Sequence, residues 1–239
     1  MRIIYNLLLF CTLVFSYEFN IGLMGQLPKG EFKEQGVPTG FGIDFNGALY
    51  PADVLGIGLN IGYGQYGNAS RQIQLSYFSD LVTVEEKTTN AIGYGNLFFK
   101  LTPFNKQWKV QPYLEGLIGA KHLSTKTKIS NNQCWDDHDD DDDCEIASST
   151  NASDWVFGYG VGFGIDVPLK KIDNPDTLKE GDMYFFINSR YLWGGEATYL
   201  KKGDIEHSDP EEGPVESTIT WNTSSTDLLH IIIGLGYRF

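Results

Sequence analysis

The sequence predicts an all-β protein: an eight-stranded antiparallel up-and-down transmembrane β-barrel with long polar extracellular loops. Three observations lead to this fold class. The 239 residues include 27 Gly together with 13 Tyr and 15 Phe, which favours strands because Gly weakens helix interiors by about 1 kcal/mol each. Apolar residues alternate with small or polar ones at a period of two. Short turns alternate with long polar segments, which is typical of a membrane barrel with both termini on the short-turn side.

The first residues have the layout of a secretory signal peptide. Arg2 precedes an apolar run over residues 7–15, and Ser16 is a small residue at the expected cleavage point. The run is shorter than the roughly 20 apolar residues of a membrane-spanning helix. We therefore predict a signal peptide over residues 1–16 and a barrel domain over residues 17–239.

The eight strands follow from the alternation. In the first strand Phe19, Ile21 and Leu23 lie on one face, and Glu18 and Gly22 lie on the other. Regular alternation of this kind covers residues 17–26, 40–49, 55–63, 155–167 and 229–239. Three less regular stretches complete the set, at residues 89–102, 108–122 and 183–199.

The connections between these strands alternate in length. Tight turns are predicted at residues 51–53 and 104–107. Long polar loops are predicted at residues 27–39, 64–88, 123–153 and 200–222. The connection over residues 170–182 should be short in this scheme, but it is a polar stretch of moderate length.

The composition of the two faces distinguishes a membrane barrel from a soluble one. The face opposite the apolar one is rich in Gly, which suits a crowded lumen better than a solvated exterior, so the apolar face is expected to contact lipid. Charged residues of both signs fall on the inner face, and we expect them to pair there and to fill the lumen: Glu18, Asp44, Lys100, Glu115, Asp166, Arg190 and Arg238.

Aromatic residues are bunched near the strand ends, as the two interfaces of a membrane select. On the long-loop side these are Trp155, Trp193, Tyr199 and Trp221. On the short-turn side they are Tyr17, Phe19, Tyr50, Phe104, Trp108, Tyr237 and Phe239.

The terminal run of alternating apolar residues ends with Leu235, Tyr237 and a C-terminal Phe239. This run resembles the signal that outer-membrane barrels present to the assembly machinery of Gram-negative bacteria. Residues 17–239 are similar in layout to the small OmpA/OmpX-type outer-membrane barrels. The resemblance implies export through the periplasm, assembly by that machinery and location in the lipid bilayer of the outer membrane. It implies no single activity, because such barrels serve many functions.

The formal net charge is -13. This charge argues against nucleic acid as a partner, and against binding of anionic lipid through a basic face. The acids are concentrated, with seven Asp between Cys134 and Cys144 and more over residues 204–216. In an oxidising compartment the two cysteines predict a disulfide. Four alternate acids have a spacing suited to Ca²⁺, which binds oxygen ligands: Asp137, Asp139, Asp141 and Asp143. His138 would favour a transition metal instead, and a solvated acidic loop without metal is the third interpretation.

Three hypotheses for function remain, and the first is a non-enzymatic barrel with a structural or surface-interaction role. The second is a lipid-modifying hydrolase at the rim, for which His122 with Ser124 and His207 with Ser208 are the candidate pairs. His230 is predicted to face the lumen. The third is a narrow transport pore. We expect no catalysis, because no nucleophile elbow or third catalytic residue accompanies these pairs.

Overall fold

The computed structural model describes residues 16–77, 80–103, 109–131, 145–172, 181–201, 203–207 and 217–239. Residues 1–15 of the predicted signal peptide, both cysteines and the four predicted calcium ligands lie outside these ranges. Ser16 is the first residue of β1, and its hydroxyl donates to the carbonyl of Phe239 at 2.8 Å.

Twelve strands and one short helix make up the described chain. In chain order they are β1 (Ser16–Pro28), α1 (Gly30–Glu34), β2 (Gly40–Ala52), β3 (Leu55–Tyr77), β4 (Asp80–Leu101), β5 (Gln111–Asn131), β6 (Glu145–Ile172), β7 (Gly181–Gly194), β8 (Glu196–Tyr199), β9 (Ile205–His207), β10 (Ser217–Ile219), β11 (Asn222–Ser225) and β12 (Leu228–Arg238). The described residues include no helix of the length and apolarity that a bilayer crossing requires.

Eight of the strands form a closed antiparallel barrel in the order β1-β12-β7-β6-β5-β4-β3-β2. β1 and β12 complete the closure, with pairs from Glu18 and Arg238 to Pro28 and Leu228. Each barrel strand pairs with its neighbours in sequence, so the topology is up-and-down, and the predicted fold class is confirmed. Residues 51 and 52 of the tight turn predicted at residues 51–53 end β2, and the turn to β3 follows at residues 53 and 54. The turn predicted at residues 104–107 falls outside the described ranges.

The exterior of the barrel is apolar. Leu23, Leu59 and Phe163 each expose more than half of their surface, although they lie in the middle of strands. At the short-turn end the ring of Tyr17 stacks on that of Phe239 with centroids 5.4 Å apart. Because closure pairs the strand backbones and the outer face is apolar, this surface is built to contact lipid.

Glycine on the inner face makes room for large side chains from neighbouring strands. A Cβ atom at Gly62 would lie 2.2 Å from Cζ of Tyr94, and one at Gly164 would lie 2.3 Å from Cζ of Tyr113. Interiors are packed at crystal-like density, so these positions cannot accept a methyl group without displacing a ring. The glycine-rich face is therefore a packing requirement of the lumen.

Two of the predicted polar loops are largely strand. β3 and β4 stay paired as far as Tyr77 and Asp80, within the predicted loop over residues 64–88. β5 and β6 stay paired as far as Ser130 and Glu145, within the predicted loop over residues 123–153. These parts of the four strands continue beyond the barrel wall as one antiparallel sheet. We call it the extracellular sheet, and it comprises residues 66–77, 80–90, 124–131 and 145–154.

Two aromatic residues predicted at the membrane interfaces face inward instead. Tyr50 lies in the lumen and donates its hydroxyl to Oε2 of Glu18 at 2.7 Å. Tyr50 and Asp44 are an even number of residues apart in β2, and side chains alternate between the two faces of a strand, so both face the lumen. Tyr199 is 1% exposed and hydrogen-bonds Oγ of Ser224 at 2.9 Å. Trp155, Trp193 and Trp221 are exposed, whereas Phe104 and Trp108 lie outside the described residues.

Candidate functional site

The end of the lumen near the short turns holds a cluster of four charges. Lys100 donates through Nζ to Oε1 of Glu18 and to Oδ2 of Asp166, both at 2.9 Å. Arg238 donates through Nε to Oε2 of Glu18 at 3.0 Å and through Nη2 to Asp166 at 3.4 Å. The Lys100 ammonium also lies 3.9 Å from the ring centroid of Tyr113. Two cations and two anions balance, so the cluster is neutral.

A second cluster lies further along the lumen, around Arg190. Its Nε donates to Oε2 of Glu115 at 2.7 Å, and its Nη1 donates to Oδ2 of Asp44 at 3.1 Å. Its Nη2 donates to Oδ1 of Asn46 at 3.1 Å. The Tyr94 hydroxyl donates to Oδ2 of Asp44 at 2.5 Å. One cation faces two carboxylates, and neutral donors satisfy the remaining carboxylate oxygens. All seven predicted lumen charges thus lie in two buried clusters.

The inner face also holds a lysine that was missed in the sequence. Lys121 is 2% exposed, and its Nζ donates to the carbonyls of Leu192 at 3.2 Å and Thr226 at 2.6 Å. A Cβ atom at Gly194 would lie 2.6 Å from this Nζ, so a glycine makes room for the ammonium. Lys121 is an even number of residues from Glu115 in β5, so the alternation that places Glu115 on the inner face places Lys121 there too. This alternation could have identified Lys121 as a lumen residue from the sequence.

His230 faces the lumen near the start of β12 and is fully buried. Its ring centroid lies 5.0 Å from that of Tyr94. Within the described part of the chain, neither of its ring nitrogens has a hydrogen-bond partner. The residue therefore occupies the predicted inner face.

A cap of apolar side chains closes the outer end of the lumen. Phe32 of α1 is completely buried, with its ring centroid 4.9 Å from that of Tyr199 and 6.2 Å from that of Tyr66. Ile92, Leu123 and other buried side chains of the barrel wall complete this cluster. We call α1 with β8 and β11 the outer cap. Burial raises the pKa of the Tyr66 and Tyr199 hydroxyls, so both remain neutral donors.

Polar contacts tie the parts of the outer cap to one another. The backbone N–H of Ser225 donates to Oε2 of Glu31 at 3.0 Å, and this bond holds the pKa of the Glu31 carboxyl below its usual range. The ammonium of Lys201 donates to the carbonyl of Gln35 at 2.6 Å. The predicted loop over residues 27–39 is therefore an ordered part of the outer cap rather than a solvated connection.

The candidate hydrolase residues lie on the outer rim, facing away from the lumen. His122 Nε2 and Ser153 Oγ are 2.9 Å apart, and the His122 ring stacks on Trp155 with centroids 4.5 Å apart. Ser124 pairs with Ser153 in register, but the hydrogen bond of His122 goes to Ser153. The oxygens of Asp154 accept from backbone N–H groups and do not orient the imidazole.

The other predicted residues are only partly described. His207 pairs with Ser217 between β9 and β10, and Ser208 lies outside the described residues. Across the described chain no group of His, Cys, Asp and Glu has the arrangement of a metal site. At the carboxyl end, Leu235 is exposed on the barrel exterior, and the rings of Tyr237 and Phe239 lie 5.7 Å apart. Phe239 exchanges backbone hydrogen bonds with Tyr17 at 2.8 and 2.9 Å.

Comparison with known proteins finds similarity among solved structures only. No protein-family model matches the chain, and no curated protein matches it. The Neisserial surface protein A (NspA) is 12% identical, with a TM-score of 0.34 over 94% of this chain and 95% of that one. The N-terminal barrel domain of Pseudomonas aeruginosa OprF is 14% identical, with a TM-score of 0.33 over 94% and 97%. A major outer membrane protein of Thermus thermophilus is 13% identical, with a TM-score of 0.37 over 93% and 99%.

The location of the chain follows from its own barrel. A closed antiparallel barrel of eight strands with an apolar exterior and a polar lumen is the form in which strands cross an outer membrane. The protein is therefore an outer-membrane barrel embedded in the lipid bilayer.

Proposed function

We propose that the protein is a non-enzymatic outer-membrane barrel that uses its extracellular sheet to contact an external ligand or surface. The observation that carries the proposal is a free backbone edge. β2 pairs with β3 only as far as Phe41 and Gln65, whereas β3 continues beside β4 to Tyr77. In the described ranges no strand pairs with the other edge of β3 beyond Gln65. Such an edge is a template to which an extended chain can add as a further strand.

The lumen supports this proposal over a narrow transport pore. Two ionic clusters fill the barrel interior, and the outer cap covers it with Phe32 completely buried. An eight-stranded barrel is just wide enough for its side chains to fill the interior. The filled barrel then serves as a rigid support for the extracellular sheet.

An experiment on the sheet separates this role from a purely structural one. Replacing residues 71–86 by Asn-Gly shortens the β3–β4 hairpin and leaves the barrel wall intact, because residues 55–65 and 91–101 keep their pairing. The probe is a library of extended peptides added to the purified barrel in detergent micelles. The wild type should retain peptides and the shortened variant should release them. Equal retention, with both proteins showing the heat-dependent gel mobility of a folded barrel, would refute the proposal.

The acidic segment between β5 and β6 belongs to the same proposal. Its Asp residues supply oxygen ligands at high density at the end of the extracellular sheet, and a disulfide between Cys134 and Cys144 would close the loop. Calcium would then be held by Asp137, Asp139, Asp141 and Asp143. Titration of Ca²⁺ into the purified barrel should release heat that is lost with Asp139→Ala and Asp141→Ala together. Indistinguishable heats at millimolar calcium would contradict the calcium site and favour a solvated acidic loop.

A second candidate function rests on the pair of His122 and Ser153. The pair lies on the rim at the level of Trp155, where a lipid headgroup meets the protein, and a histidine bonded to a serine hydroxyl is the start of a nucleophile-base arrangement. If this pair is catalytic, cells that express the wild type will contain lipid A with fewer acyl chains. Cells that express His122→Ala will contain lipid A with its full number of acyl chains. Unchanged lipid A in wild-type cells would exclude the hydrolase.

A further inference from the structure

The free edge of β3 is long and almost uncharged. It runs from Gly67 to Tyr77, because β2 pairs with β3 only as far as Gln65 while β4 follows the other side of β3 to Tyr77. Natural edge strands discourage further pairing with Pro, Lys or other charged residues. Over residues 67–77 the sequence has no Pro, Lys, Asp or Glu. Arg71 is the single charged residue, and it pairs with Glu86 of its own sheet at 2.9 Å.

The opposite edge of the extracellular sheet has a different composition. It is formed by β6, which carries two acids over residues 145–154, Glu145 and Asp154. The backbone N–H of Thr198 in the outer cap donates to Oδ2 of Asp154 at 2.8 Å. Because charged side chains on an edge discourage pairing, β3 offers the edge that is better suited to a further strand.

The direction of β3 decides which second copy of this chain can reach the edge. β3 begins at the short-turn end of the barrel and runs outward, so two copies in one membrane present strands that run the same way. Parallel strands pair through opposite edges, but β4 occupies the same edge of β3 in both copies. Two copies in one membrane therefore cannot join through β3. In two facing membranes the strands run in opposite directions, and an antiparallel pair related by a two-fold axis uses the same edge of both.

The length of the free edge defines one register for this antiparallel pair. A two-fold axis at Gln72, the middle of residues 67–77, uses the whole segment and places Gly67 of one copy opposite Tyr77 of the other. Arg71 then lies opposite Ile73, so the single charge of the edge does not face itself. Like charges directly opposite each other would destabilise the pair, and this register avoids them.

The acidic segment between β5 and β6 starts away from this contact. Its seven Asp follow β5, which is two strands from β3 in the sheet. When two sheets join through β3, their β5 strands are five strand spacings apart, which is about 24 Å. The Debye length is about 8 Å at physiological ionic strength, so salt largely screens repulsion over this separation. The net charge of -13 therefore does not prevent the contact.

We propose that two copies of this chain in facing outer membranes pair through their β3 edges and join their extracellular sheets into one. The proposal rests on the proposed function, because it names the partner of the same edge. One antiparallel ladder over residues 67–77 pairs the free backbone groups of both copies at once. From Gln65 to Gln72 the strand is about 23 Å long, which is about 18 Å of height at a tilt of roughly 40°. The two barrel rims would then lie about 35 Å apart.

The test uses the full barrel reconstituted in two populations of phosphatidylcholine vesicles with different fluorescent labels, and energy transfer between the labels measures docking. Wild-type vesicles should dock. Gln72→Lys brings two ammonium groups together at the two-fold axis, so the docked fraction should fall about 10-fold. Within its own copy the introduced ammonium faces Glu85, which favours the hairpin. The matched control is Gln74→Lys, which adds the same charge opposite Ser70 of the other copy and should dock as the wild type does.

A charge exchange at Gln72 tests the register directly. Vesicles with Gln72→Lys should dock with vesicles that carry Gln72→Glu, because opposite charges then meet at the axis, whereas vesicles with either variant alone should not dock. Equal losses in Gln72→Lys and Gln74→Lys would overturn the proposal. So would undiminished docking when residues 71–86 are replaced by Asn-Gly. If the wild type retains extended peptides in micelles but its vesicles do not dock, the proposed function stands and the second copy is the wrong partner. Failure of both assays refutes both.

Discussion

Replacing Arg190 by Met tests whether the central cluster is essential to the barrel. The arginine side chain is 1% exposed and donates hydrogen bonds to Glu115, Asp44 and Asn46. Without it, two carboxylates remain buried with no cation beside them. Removing one partner of a buried ion pair typically costs about 3–5 kcal/mol, so we expect Arg190→Met to lower the free energy of unfolding by about 4 kcal/mol.

The measurement is reversible urea unfolding of the barrel in detergent micelles, followed by tryptophan fluorescence. At constant m-value the change in midpoint gives the free-energy difference. The matched control is Arg71→Met, because Arg71 pairs with Glu86 at 2.9 Å but is 36% exposed. Glu86 is only 6% exposed, but water reaches Arg71 and a single carboxylate is left without its cation, so Arg71→Met should lose less stability than Arg190→Met does.

A compensated variant decides the physical cause. Arg190→Met combined with Asp44→Asn and Glu115→Gln removes the uncompensated charges and leaves polar groups that keep several of their hydrogen bonds. It should recover stability to within about 2 kcal/mol of the wild type. The reasoning is refuted if Arg190→Met costs less than about 1 kcal/mol, or if the triple variant is less stable than the single one.

Three further predictions concern packing and the outer cap. Phe32→Ala should cost about 3–5 kcal/mol and raise amide hydrogen exchange in the cap, whereas lipid-facing Phe41→Ala should leave exchange unchanged. Gly62→Ala should destabilise the barrel by about 1–3 kcal/mol, and Gly95→Ala, where a Cβ meets nothing within 4 Å, should stay close to the wild type in urea unfolding. The lowered pKa of Glu31 stabilises the cap above the ordinary carboxyl pKa of about 4.5, and this stabilisation is lost as pH falls through the folded value. The protection factors of the cap amides, which are corrected for the intrinsic pH dependence of exchange, should fall there in the wild type and stay constant over this range in Glu31→Gln.

The inner and outer faces of the barrel could be predicted because a strand has a period of two. A slip of one residue would turn every side chain of a strand to the other face, so one buried face fixes the parity of the whole strand. The same parity places Glu18 and Arg238 inside on β1 and β12, which pair directly. It also places Tyr50 and Lys121 inside, although Tyr50 was expected among the interface aromatics and Lys121 was not among the expected lumen charges. Parity was the better guide than residue type at Tyr50.

The extracellular sheet could not be predicted in the same way. Residues such as Ser70, Arg71 and Gln72 are polar on both faces, because both faces of this sheet lie outside the lipid. Without a contrast between faces, a polar strand has the same pattern as a polar loop. The strands form there because each backbone continues a ladder begun in the barrel wall, as the pair of Ser70 and Lys87 shows.

In the described chain, the arrangement of polar groups favours ligand contact at the outer surface over contact in the lumen. In the described lumen the carboxylates of both clusters already accept from arginine, lysine or neutral donors. Lys121 and His230 lack a carboxylate at hydrogen-bond distance, but both are buried beneath the outer cap, where Phe32 excludes a ligand from outside. By contrast, Lys87 and Lys126 are exposed on the extracellular sheet. A ligand can therefore contact the outer face and the edge of the extracellular sheet, and the rim of the barrel, while the whole barrel stays folded.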